Sequence, residues 1–574
     1  MPIIRSALRR DWVRDFLYLT LFVAILYGFW LGGYPFFTPD EGRYAEVARE
    51  MVASGDYITP RVNGVAFLDK PVLYYWLQAA AINLFGIKEW AIRLFPALLG
   101  MFGCLATYST GRLLFNRRTG ILSAIMLATA PLYFIGAHYA NLDLEVAVFI
   151  SCTLLFFISG LQSTHAKQRK YLFLAAYTCA ALAFLTKGLI GIVFPSMIIG
   201  AWILLSWRWH VLKKIHLLSG LLLFLIIAAP WYILVQKANP AFLQFFFVTQ
   251  QFSRFVSSAE FNNQNTIWFY VPVVIVGFLP WSIFAVQAIA QSLRRVWLNR
   301  HHHPVELFLL LWFFLIFIFF SIPHSKIVTY ILPVFPALAL LTGHWLDKVW
   351  DNAQPKNIAQ NALAFIIFAV FFAVIGWLLS YFKLAAIPAN FMPHLVLLSC
   401  LFIVSAIMAY VTGKQKTLLP LFSTYAASIV LSMLVLTTGI QYLNQNSTKN
   451  LVAELKTVIQ PQDEVINYFK FYQDVPLYLG KKVMIVADWQ ADNIASKDNW
   501  RRELWLGMPF QDTQQILINE EVFWRHWNSD QRVFVFLNEN YFGQFKERAE
   551  SYFNLGQEND IILLSNQPTV IGTV

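Results

Sequence analysis

The chain is poor in charge and in cysteine, and each shortage excludes a class of protein. Only 13% of its 574 residues are Asp, Glu, Lys or Arg, about half the usual share, so a soluble globular protein of this length is excluded. The four cysteines, Cys104, Cys152, Cys179 and Cys400, lie within apolar runs and form no CxxC pair. A disulfide framework is therefore not expected.

The chain is rich in long apolar runs. Hydrophobic residues make up 58% of the chain, including 52 Phe, and runs near 20 residues are long enough to cross a bilayer as helices. The first run follows the basic segment RSALRRDWVR and lacks a small-residue cleavage site, so it is predicted to remain as a span. The runs predict about 13 spans, at roughly 16–33, 91–111, 119–137, 143–161, 171–186, 188–206, 215–235, 267–290, 305–322, 328–346, 360–380, 392–411 and 419–440.

Basic residues lie mainly in alternate short connections between these spans. The clusters are RSALRR, FNRRTG, HAKQRK, WRWHVLKK, LRRVWLNRHHH, DKVWDNAQPK and TGKQK. The positive-inside rule places them in the cytoplasm, together with the N-terminus, and leaves the C-terminus on the outer side. The net charge of +11 is therefore explained by topology, and no nucleic-acid partner is expected.

Two larger polar pieces are predicted on the outer side. One is the loop 34–90, expected to carry amphipathic helices at the membrane interface. The other is the tail 441–574, where EVINYF, KVMIVA, RVFVFL and DIILLS are strand-like runs separated by helix-capable stretches. The predicted fold class is a polytopic α-helical membrane domain, residues 1–440, followed by a soluble α/β domain, residues 441–574.

The stretch TPDEGRYAEVAREMVASGD, residues 38–56, concentrates charge in this apolar chain. Thr38 and Glu41 have the spacing of a capping box with Pro39 at the first helical position. Apolar residues follow at helical spacing, which predicts an amphipathic helix with its charges facing water. Arg43 does not fit this interpretation, since the helix dipole disfavours a cation in the first turn.

A second segment, FLDKPVLYYW, places Lys70 directly before Pro71, where another helix is predicted to start. A cation is unfavourable there unless an anion lies beside it. With an anion present, Lys70 and the free backbone N–H groups of the helix form a phosphate site. We expect this role for Lys70; a plain salt bridge to Asp69 is the alternative.

Further charged residues fall at the outer ends of predicted spans. N-capping is sufficient to explain Asp143, and snorkelling of the side chain is sufficient to explain Lys187. Arg254 lies among aromatic residues after the seventh span, and Lys326 and Tyr330 lie at the entrance to the tenth. Together, these cations and carboxylates on one membrane face predict a site for an anionic headgroup.

These motifs occur in an order that resembles one known family. The matching segments are PDEGRYAEVAREMVASGDYITP, DKP with YYW, YANLD, LTKG, FVTQQFSRF, WFYVPVVIVGFLPW and SKIVTYILP. They resemble the lipid A aminoarabinose transferase (ArnT) family, within the GT-C membrane glycosyltransferases related to dolichyl-phosphate-mannose-protein mannosyltransferases. The resemblance covers about residues 10–345 in detail and the remainder only in layout.

The resemblance implies a glycosyltransferase of the bacterial inner membrane with a periplasmic tail domain. It implies a donor sugar, 4-amino-4-deoxy-L-arabinose, carried on undecaprenyl phosphate, and a phosphate of lipid A as the acceptor. The product lowers the negative charge of the surface and gives resistance to polymyxin and other cationic antimicrobial peptides. A single displacement inverts the anomeric centre. Membrane lipids surround the protein, and we expect a monomer.

The resemblance also implies roles for individual residues. Asp40 and Asp143 match two acidic positions near the catalytic cavity, and with Lys70 they are the expected catalytic residues. Glu41 and Tyr74 are expected to support them. The residues expected to hold the carrier phosphate and donor are Arg43, Lys70, Arg254, Lys326 and Tyr330.

A divalent metal is the one cofactor that the resemblance raises. Family members often carry Glu before the Lys-Pro pair, with an associated metal, whereas this chain has Asp69. Relatives often place His after the residue matching Arg254, where this chain reads AEFNNQN. Both departures argue against a metal. Asp69 is the only candidate ligand, and no other cofactor is expected.

Two questions remain open at the level of sequence. Asp40 acts as a general base if the acceptor is a hydroxyl group; if the acceptor is a phosphate, Asp40 and Asp143 orient the cations or bind the amino group of the sugar. The alternative functions are another GT-C enzyme with a different sugar, glycan or protein Ser/Thr acceptor, a lipid-linked sugar transporter, or a sensor. Transport is disfavoured because no internal repeat is evident and the charges cluster at one face.

Overall fold

The protein is mainly helical. The computed structural model describes residues 2–569 except 254–263, 352, 385–386, 492–493, 495–496 and 498, with backbone only for 2–10 and 251–253. The helices are α1 (Pro2–Gly28), α2 (Asp40–Ser54), α3 (Leu73–Phe85), α4 (Glu89–Ile92), α5 (Leu94–Leu114), α6 (Arg117–Ala128), α7 (Pro131–Ala137), α8 (Leu142–Gln162), α9 (Ala166–Lys187), α10 (Ile190–Ser206), α11 (Leu217–Ala238), α12 (Tyr270–Gly277), α13 (Ser282–Asn299), α14 (Pro304–Ser321), α15 (Phe335–Trp350), α16 (Pro355–Tyr381), α17 (Met392–Thr412), α18 (Leu419–Gly439), α19 (Lys449–Val458), α20 (Asp474–Leu479), α21 (Trp500–Trp505), α22 (Glu520–Trp527) and α23 (Glu539–Arg548). The strands are β1 (Arg61–Val62), β2 (Val65–Ala66), β3 (Glu464–Tyr468), β4 (Met484–Val486), β5 (Leu517–Ile518), β6 (Val533–Asn538), β7 (Phe553–Glu558) and β8 (Ile561–Ser565).

The chain divides into two compact units. Unit 1 comprises Met1–Leu31, Arg93–Pro230 and Asn265–Leu443, and unit 2 comprises Gly32–Ile92, Trp231–Gln264 and Asn444–Val574. Unit 2 therefore combines the charged loop after the first apolar run with the C-terminal tail.

The described chain contains eight helices that are long and apolar enough to cross a membrane, or up to ten if each of two bent pairs is one span. The bent pairs are α6 with α7, at 66°, and α12 with α13, at 116°. These ten coincide with ten of the predicted spans, and the other three predicted spans lie on α1, α9 and α10. The polytopic helical fold is confirmed, while the count of about 13 spans stays a prediction.

Three buried tryptophan side chains pack in the interior of unit 1. Trp202, Trp281 and Trp312 are among the largest fully buried side chains. Each indole N–H has an acceptor: the carbonyl of Pro304 at 2.8 Å, the hydroxyl of Thr129 at 2.9 Å and the carbonyl of Pro333 at 2.7 Å, respectively. The large apolar rings therefore pack in this core without leaving a buried donor unsatisfied.

Unit 2 contains a six-stranded sheet of order β5-β4-β3-β6-β8-β7. The first four strands are parallel, and β8 is antiparallel to both β6 and β7. Ile466 and Val535 pack into one core cluster, whereas Val465 and Phe534 pack into a second. The central strands are buried on both faces, which explains their nearly continuous apolar sequences. All four strand-like runs of the tail form strands.

Helix α2 differs from the sequence prediction in where its charges lie. The expectation that they face water is wrong: Glu41, Glu46, Arg49 and Glu50 are each at most 7% exposed. Nη1 of Arg49 donates to the carbonyl of Gly480 at 3.3 Å, so the tail covers this face of the helix. The periodicity identified a polar face correctly, but it carried no information on what packs against that face.

The start of α2 also differs. The helix begins at Asp40, and Thr38 makes no capping bond to it; its hydroxyl donates to the carbonyl of Asn446 at 3.0 Å. Oε2 of Glu41 accepts from the backbone N–H of Phe37 at 2.8 Å. The predicted capping box is therefore replaced by a Glu41 bond one residue further upstream. Glu41 remains a residue that orders this turn.

We expect Gly507→Ala to destabilise unit 2, because a Cβ at this position would overlap the carbonyl oxygen of Ala66. Backbone cannot yield as a flexible side chain does, so the expected loss is about 1–3 kcal/mol. Gly543→Ala in α23 is the control, since a Cβ there meets nothing within 4 Å, and a gain of roughly 0.5–1 kcal/mol is expected from helix propensity. Thermal unfolding of the full chain in detergent measures both. Equal shifts would contradict the close approach at Gly507.

Candidate functional site

Some of the charged residues predicted from sequence lie in two clusters, one in each unit. The α2 cluster, in unit 2, consists of Asp40, Arg43, Tyr44, Tyr75 and Glu503. The α8 cluster, in unit 1, consists of Asp143, Lys187, Thr329 and Tyr330.

Arg43 is the centre of the α2 cluster. Nη2 donates to Oδ1 of Asp40 at 2.6 Å and Nη1 donates to Oε1 of Glu503, while the guanidinium lies 4.9 Å from the centroid of the Tyr44 ring. The side chain is 11% exposed. Two carboxylates thus stabilise a cation that the helix dipole alone would disfavour in this turn.

Tyrosines surround this ion pair. The rings of Tyr44 and Tyr74 pack edge to face at 5.5 Å, and Tyr75 lies 6.1 Å from Tyr44. The hydroxyl of Tyr74 accepts from Gln78 at 2.7 Å. The buried hydroxyl of Tyr75 has no hydrogen-bond partner among the described residues, and burial raises its pKa well above 10. Tyr75 is therefore a neutral O–H donor beside Arg43, which suits an anion.

Asp69 and Lys70 precede α3 in unit 2. Oδ1 of Asp69 accepts from Gln250 at 3.2 Å, and Asp69 is 8% exposed. Lys70 is half-buried. Helix α3 begins at Leu73, two residues after the predicted start at Pro71, so Lys70 lies just outside the first turn. The role of Lys70 in anion binding stays a prediction.

Asp143 is the centre of the α8 cluster. Oδ1 accepts from Nζ of Lys187 and Oδ2 accepts from the hydroxyl of Thr329. Nζ of Lys187 lies 4.0 Å from the centroid of the Tyr330 ring. Asn141 is the N-cap of α8, accepting from the N–H of Asp143 at 2.9 Å. N-capping therefore does not account for Asp143, and an ion pair replaces snorkelling as the explanation of Lys187.

Two further predicted phosphate ligands are Lys326 and Arg254. Lys326 is 2% exposed, and Nζ donates to the carbonyls of Asn265, at 3.0 Å, and Pro323. Arg254 lies outside the described residues. A role for either in phosphate binding stays a prediction.

The described residues contain no group of three or more His, Cys, Asp or Glu side chains arranged to hold a metal ion. Asp69 has an amide as its hydrogen-bond partner, and one carboxylate with one amide does not make a divalent-cation site. A metal at Asp69 stays a sequence prediction, and no reaction step is derived through it.

Several members of the two clusters were missed in the sequence. Glu503 carries no motif, Thr329 was not singled out within the segment SKIVTYILP, and Lys187 was assigned to snorkelling. Glu503 lies 460 residues from Arg43 in the chain, so local spacing could not connect them. The signal that could have found Lys187 is its occurrence in the last turn of a helix that follows the Asp143 helix after a short turn, since antiparallel neighbours bring those two ends together.

A second ion pair lies deeper in α2. Nε and Nη2 of Arg49 donate to the two carboxylate oxygens of Glu46, each at 2.6 Å. Glu46 is fully buried, and burial raises its pKa to about 7 although Arg49 opposes the shift.

We expect the stability of unit 2 to fall as the pH rises from about 4.5 to about 7. In this range the folded chain keeps the Glu46 proton, which the unfolded chain has already released, so ionisation favours unfolding. The shift in pKa corresponds to about 3 kcal/mol. Melting temperatures between pH 5 and pH 8 measure the slope. Glu46→Gln should flatten it, and Glu521→Gln, at an exposed position of α22, should not; an unchanged slope in Glu46→Gln would contradict the assignment.

Comparisons with known proteins agree over most of the chain. Residues 69–234 match the family model described as dolichyl-phosphate-mannose-protein mannosyltransferase. The chain is 30% identical over 424 residues to undecaprenyl phosphate-alpha-4-amino-4-deoxy-L-arabinose arabinosyl transferase 1 of Proteus mirabilis, covering 72% of this chain and 74% of that protein. The transferase of the same name from Erwinia tasmaniensis is 30% identical over 367 residues, which are 63% of this chain and 65% of that protein.

A solved structure is similar over almost the full length. The crystal structure of ArnT from Cupriavidus metallidurans bound to undecaprenyl phosphate matches with a TM-score of 0.82 and 27% identity, covering 97% of this chain and 98% of that one. The apo form of the same protein matches with a TM-score of 0.81.

Proposed function

Since this chain belongs to the undecaprenyl phosphate-aminoarabinose arabinosyl transferase (ArnT) family of GT-C membrane glycosyltransferases, we propose that it transfers 4-amino-4-deoxy-L-arabinose from undecaprenyl phosphate to a phosphate of lipid A. The chain is a multi-pass membrane protein. The alternating basic connections support an inner-membrane orientation in which residues 1–440 form the membrane domain, with its loop 34–90 on the periplasmic side, and residues 441–574 lie in the periplasm. A modified lipid A carries less negative charge, which weakens the binding of polymyxin and other cationic peptides.

The pairing of both candidate carboxylates with cations is the observation that carries the proposal. Asp40 accepts from Arg43, and both oxygens of Asp143 are engaged by Lys187 and Thr329. A general base must lie within hydrogen-bond reach of the proton that it removes from the acceptor. These carboxylates instead hold cations in place. That arrangement suits an acceptor that is already ionised near neutral pH, as a lipid A phosphate is, and that needs no base.

The cations then stabilise the leaving group. As the bond between the anomeric carbon and the carrier phosphate oxygen breaks, positive charge develops on the sugar and negative charge on the phosphate. Lys70 and Arg43 supply fixed positive charge, and Tyr75 supplies a neutral donor. Preorganised donors of this kind are worth very roughly 2.7–4 kcal/mol each. In unit 1, Asp143 in the same way holds a cation, Lys187, which lies over the Tyr330 ring.

The carboxylates have a second role when the sugar carries an amine. An ammonium group at C4 of the donor needs an anionic partner once it leaves water. The Asp40 side chain is 34% exposed and can be reached by this group, whereas Asp143 is 5% exposed. We assign recognition of the sugar amine to Asp40. Asp143 positions Lys187.

Mass spectrometry of lipid A tests the proposed reaction. The host lacks its own enzyme of this kind but makes the aminoarabinose donor, and it is compared with and without this gene. We expect a mass gain equal to one or more aminoarabinose units on lipid A phosphates. The gain should disappear in Asp40→Ala, because Arg43 loses one of its two carboxylate partners and the sugar amine loses its anionic partner.

Membrane insertion of each variant is the control, measured by its amount in the purified membrane fraction. A well-expressed wild-type protein that leaves lipid A unchanged would overturn the choice of substrate. A full mass gain from Asp40→Ala would instead leave the substrate in place and overturn the role of this carboxylate.

A further inference from the structure

Unit 1 holds a basic cavity at the end remote from the α8 cluster. Its volume is about 160 Å³, and its lining includes Arg169, Arg208, His210 and Lys214. None of its lining residues is Asp or Glu. Nε of Arg169 is buried and has no hydrogen-bond partner in the described chain. Several basic groups around one small cavity, with no carboxylate in its lining, favour an anion with several acceptor oxygens.

An apolar cavity lies beside the basic one. Its volume is about 310 Å³, and its lining is almost wholly apolar, with Phe157, Phe173, Ile199 and Leu217 among the residues. A dry space of this character accommodates hydrocarbon and not water.

The same four stretches of chain line both cavities. Helix α8 supplies Leu161 to the basic cavity and Phe157 to the apolar one, and α9 supplies Arg169 and Phe173. Helix α10 contributes Trp202 and Ile199, and the segment leading into α11 contributes Lys214 and the first residue of that helix, Leu217. Each pair is three or four residues apart, which is about one helical turn of 5.4 Å in the helices. The two cavities therefore lie end to end along the helix axes.

The basic cavity has the depth of lipid headgroups. Trp207 and Trp209 flank Arg208 and are 67% and 50% exposed. Exposed Trp residues at a helix end mark the membrane–water interface. The basic cavity thus lies at headgroup level, and the apolar cavity is one turn deeper, at the level of the acyl chains.

We propose that the two cavities bind one anionic phospholipid, with its phosphate among Arg169, Arg208 and Lys214 and one acyl chain between Phe157 and Phe173. Asp143 and Leu161 lie at opposite ends of α8, about 27 Å apart by helical rise. The lipid site is therefore separate from the candidate catalytic cluster and does not depend on which sugar is transferred. By the positive-inside rule, the lipid belongs to the cytoplasmic leaflet.

The apolar cavity distinguishes a lipid from a free phosphate ion. A soluble anion would use the basic residues alone, and the apolar space would contribute nothing to its binding. A phospholipid gains from burial of its chain as well as from charge, since each buried CH₂ contributes about 0.8 kcal/mol, a factor of roughly four in affinity.

Native mass spectrometry and thermal unfolding of the full chain in detergent test the proposal. Each is carried out with phosphatidylglycerol, zwitterionic phosphatidylcholine or inorganic phosphate added. We expect one tightly held phosphatidylglycerol, weaker binding of phosphatidylcholine and no effect of phosphate on the melting temperature. The triple variant Arg169→Gln, Arg208→Gln and Lys214→Gln should bind phosphatidylglycerol roughly a hundredfold more weakly, because three cations near an anionic lipid are removed. Lys167→Gln, Lys170→Gln and Lys213→Gln remove three exposed charges from the same segments outside the cavity and should bind as the wild type does.

A second variant tests the apolar half and covers the case in which the triple variant fails to fold. Ala180→Phe fills the apolar cavity, which Ala180 lines, and keeps every cation, so it should weaken phosphatidylglycerol binding at least about tenfold. Equal lipid binding by the wild type, the triple variant and Ala180→Phe would overturn the proposal. Stabilisation by inorganic phosphate that is lost in the triple variant but kept in Ala180→Phe would also overturn it, in favour of a site for a soluble anion.

Discussion

Replacing Lys70 by alanine is expected to lower the rate of sugar transfer by roughly 10²–10³-fold. The ammonium compensates charge that develops on the carrier phosphate as the glycosidic bond breaks. The effect should fall mainly on kcat, because the negative charge of the phosphate ester rises in the transition state. Initial rates with purified enzyme, a polyprenyl-phosphate sugar and lipid A measure it.

Two further variants separate charge from folding. Lys88→Ala removes an exposed lysine between α3 and α4 and should keep the wild-type rate. Lys70→Arg keeps the charge but changes its geometry, so an intermediate rate is expected. Wild-type activity in Lys70→Ala would show that the leaving phosphate is stabilised elsewhere.

Replacing Arg43 by alanine is expected to abolish transfer and also to destabilise unit 2 by about 3 kcal/mol. The loss of the guanidinium leaves Glu503 without its partner in a largely buried position, where burial already raises the pKa of this carboxyl. The double variant Arg43→Met, Glu503→Leu replaces both charges by apolar groups. It should recover most of the stability and none of the activity, because the melting temperature depends on the pair and the reaction depends on the cation.

A half-buried ion pair in the same unit, whose arginine is more exposed than Arg43, provides the comparison. Arg61 and Asp56 are paired at 2.6 Å with side chains 31% and 32% exposed, and Arg61→Ala should cost no more than about 1 kcal/mol. Recovery of activity in the double variant would mean that Arg43 serves only to fold α2. A melting temperature of Arg43→Ala no lower than that of Arg61→Ala would mean that Glu503 finds water or another partner.

The sheet of unit 2 could be predicted where its strands are buried on both faces. The runs containing β3, β4, β6 and β8 are short, apolar and bounded by polar residues, and each forms a strand. The edge strands β5 and β7 were missed: β5 has two residues, and β7, with the sequence FNLGQE, has exposed and half-buried residues only. An edge strand is held by backbone hydrogen bonds to one neighbour. These bonds do not require apolar side chains, so the hydrophobicity of the sequence does not indicate the strand.

The candidate site could be predicted only as separate positions. Asp40, Arg43, Asp143 and Tyr330 stood out because each is polar or charged where a membrane protein is apolar, and the structure places all four in the two clusters. Their partners could not be predicted, because a contact between Arg43 and Glu503 depends on how the tail folds and not on local spacing. The charged face of α2 was wrongly expected to face water for the same reason, because the tail that covers it is distant in the sequence.

Unit 2 is assembled from three stretches of chain, and this arrangement sets an order of events during synthesis. About 350 residues separate Ile92 from Asn444, which the ribosome adds in roughly 20–70 s at 5–20 residues per second. In the periplasmic orientation proposed above, α2 crosses the membrane before the strands and helices that cover it exist. Until the tail has been synthesised, the Glu46–Arg49 pair of α2 is exposed to water. A nascent chain that stops before the tail therefore displays an incompletely folded segment outside the membrane, where chaperones and proteases of that compartment meet it first.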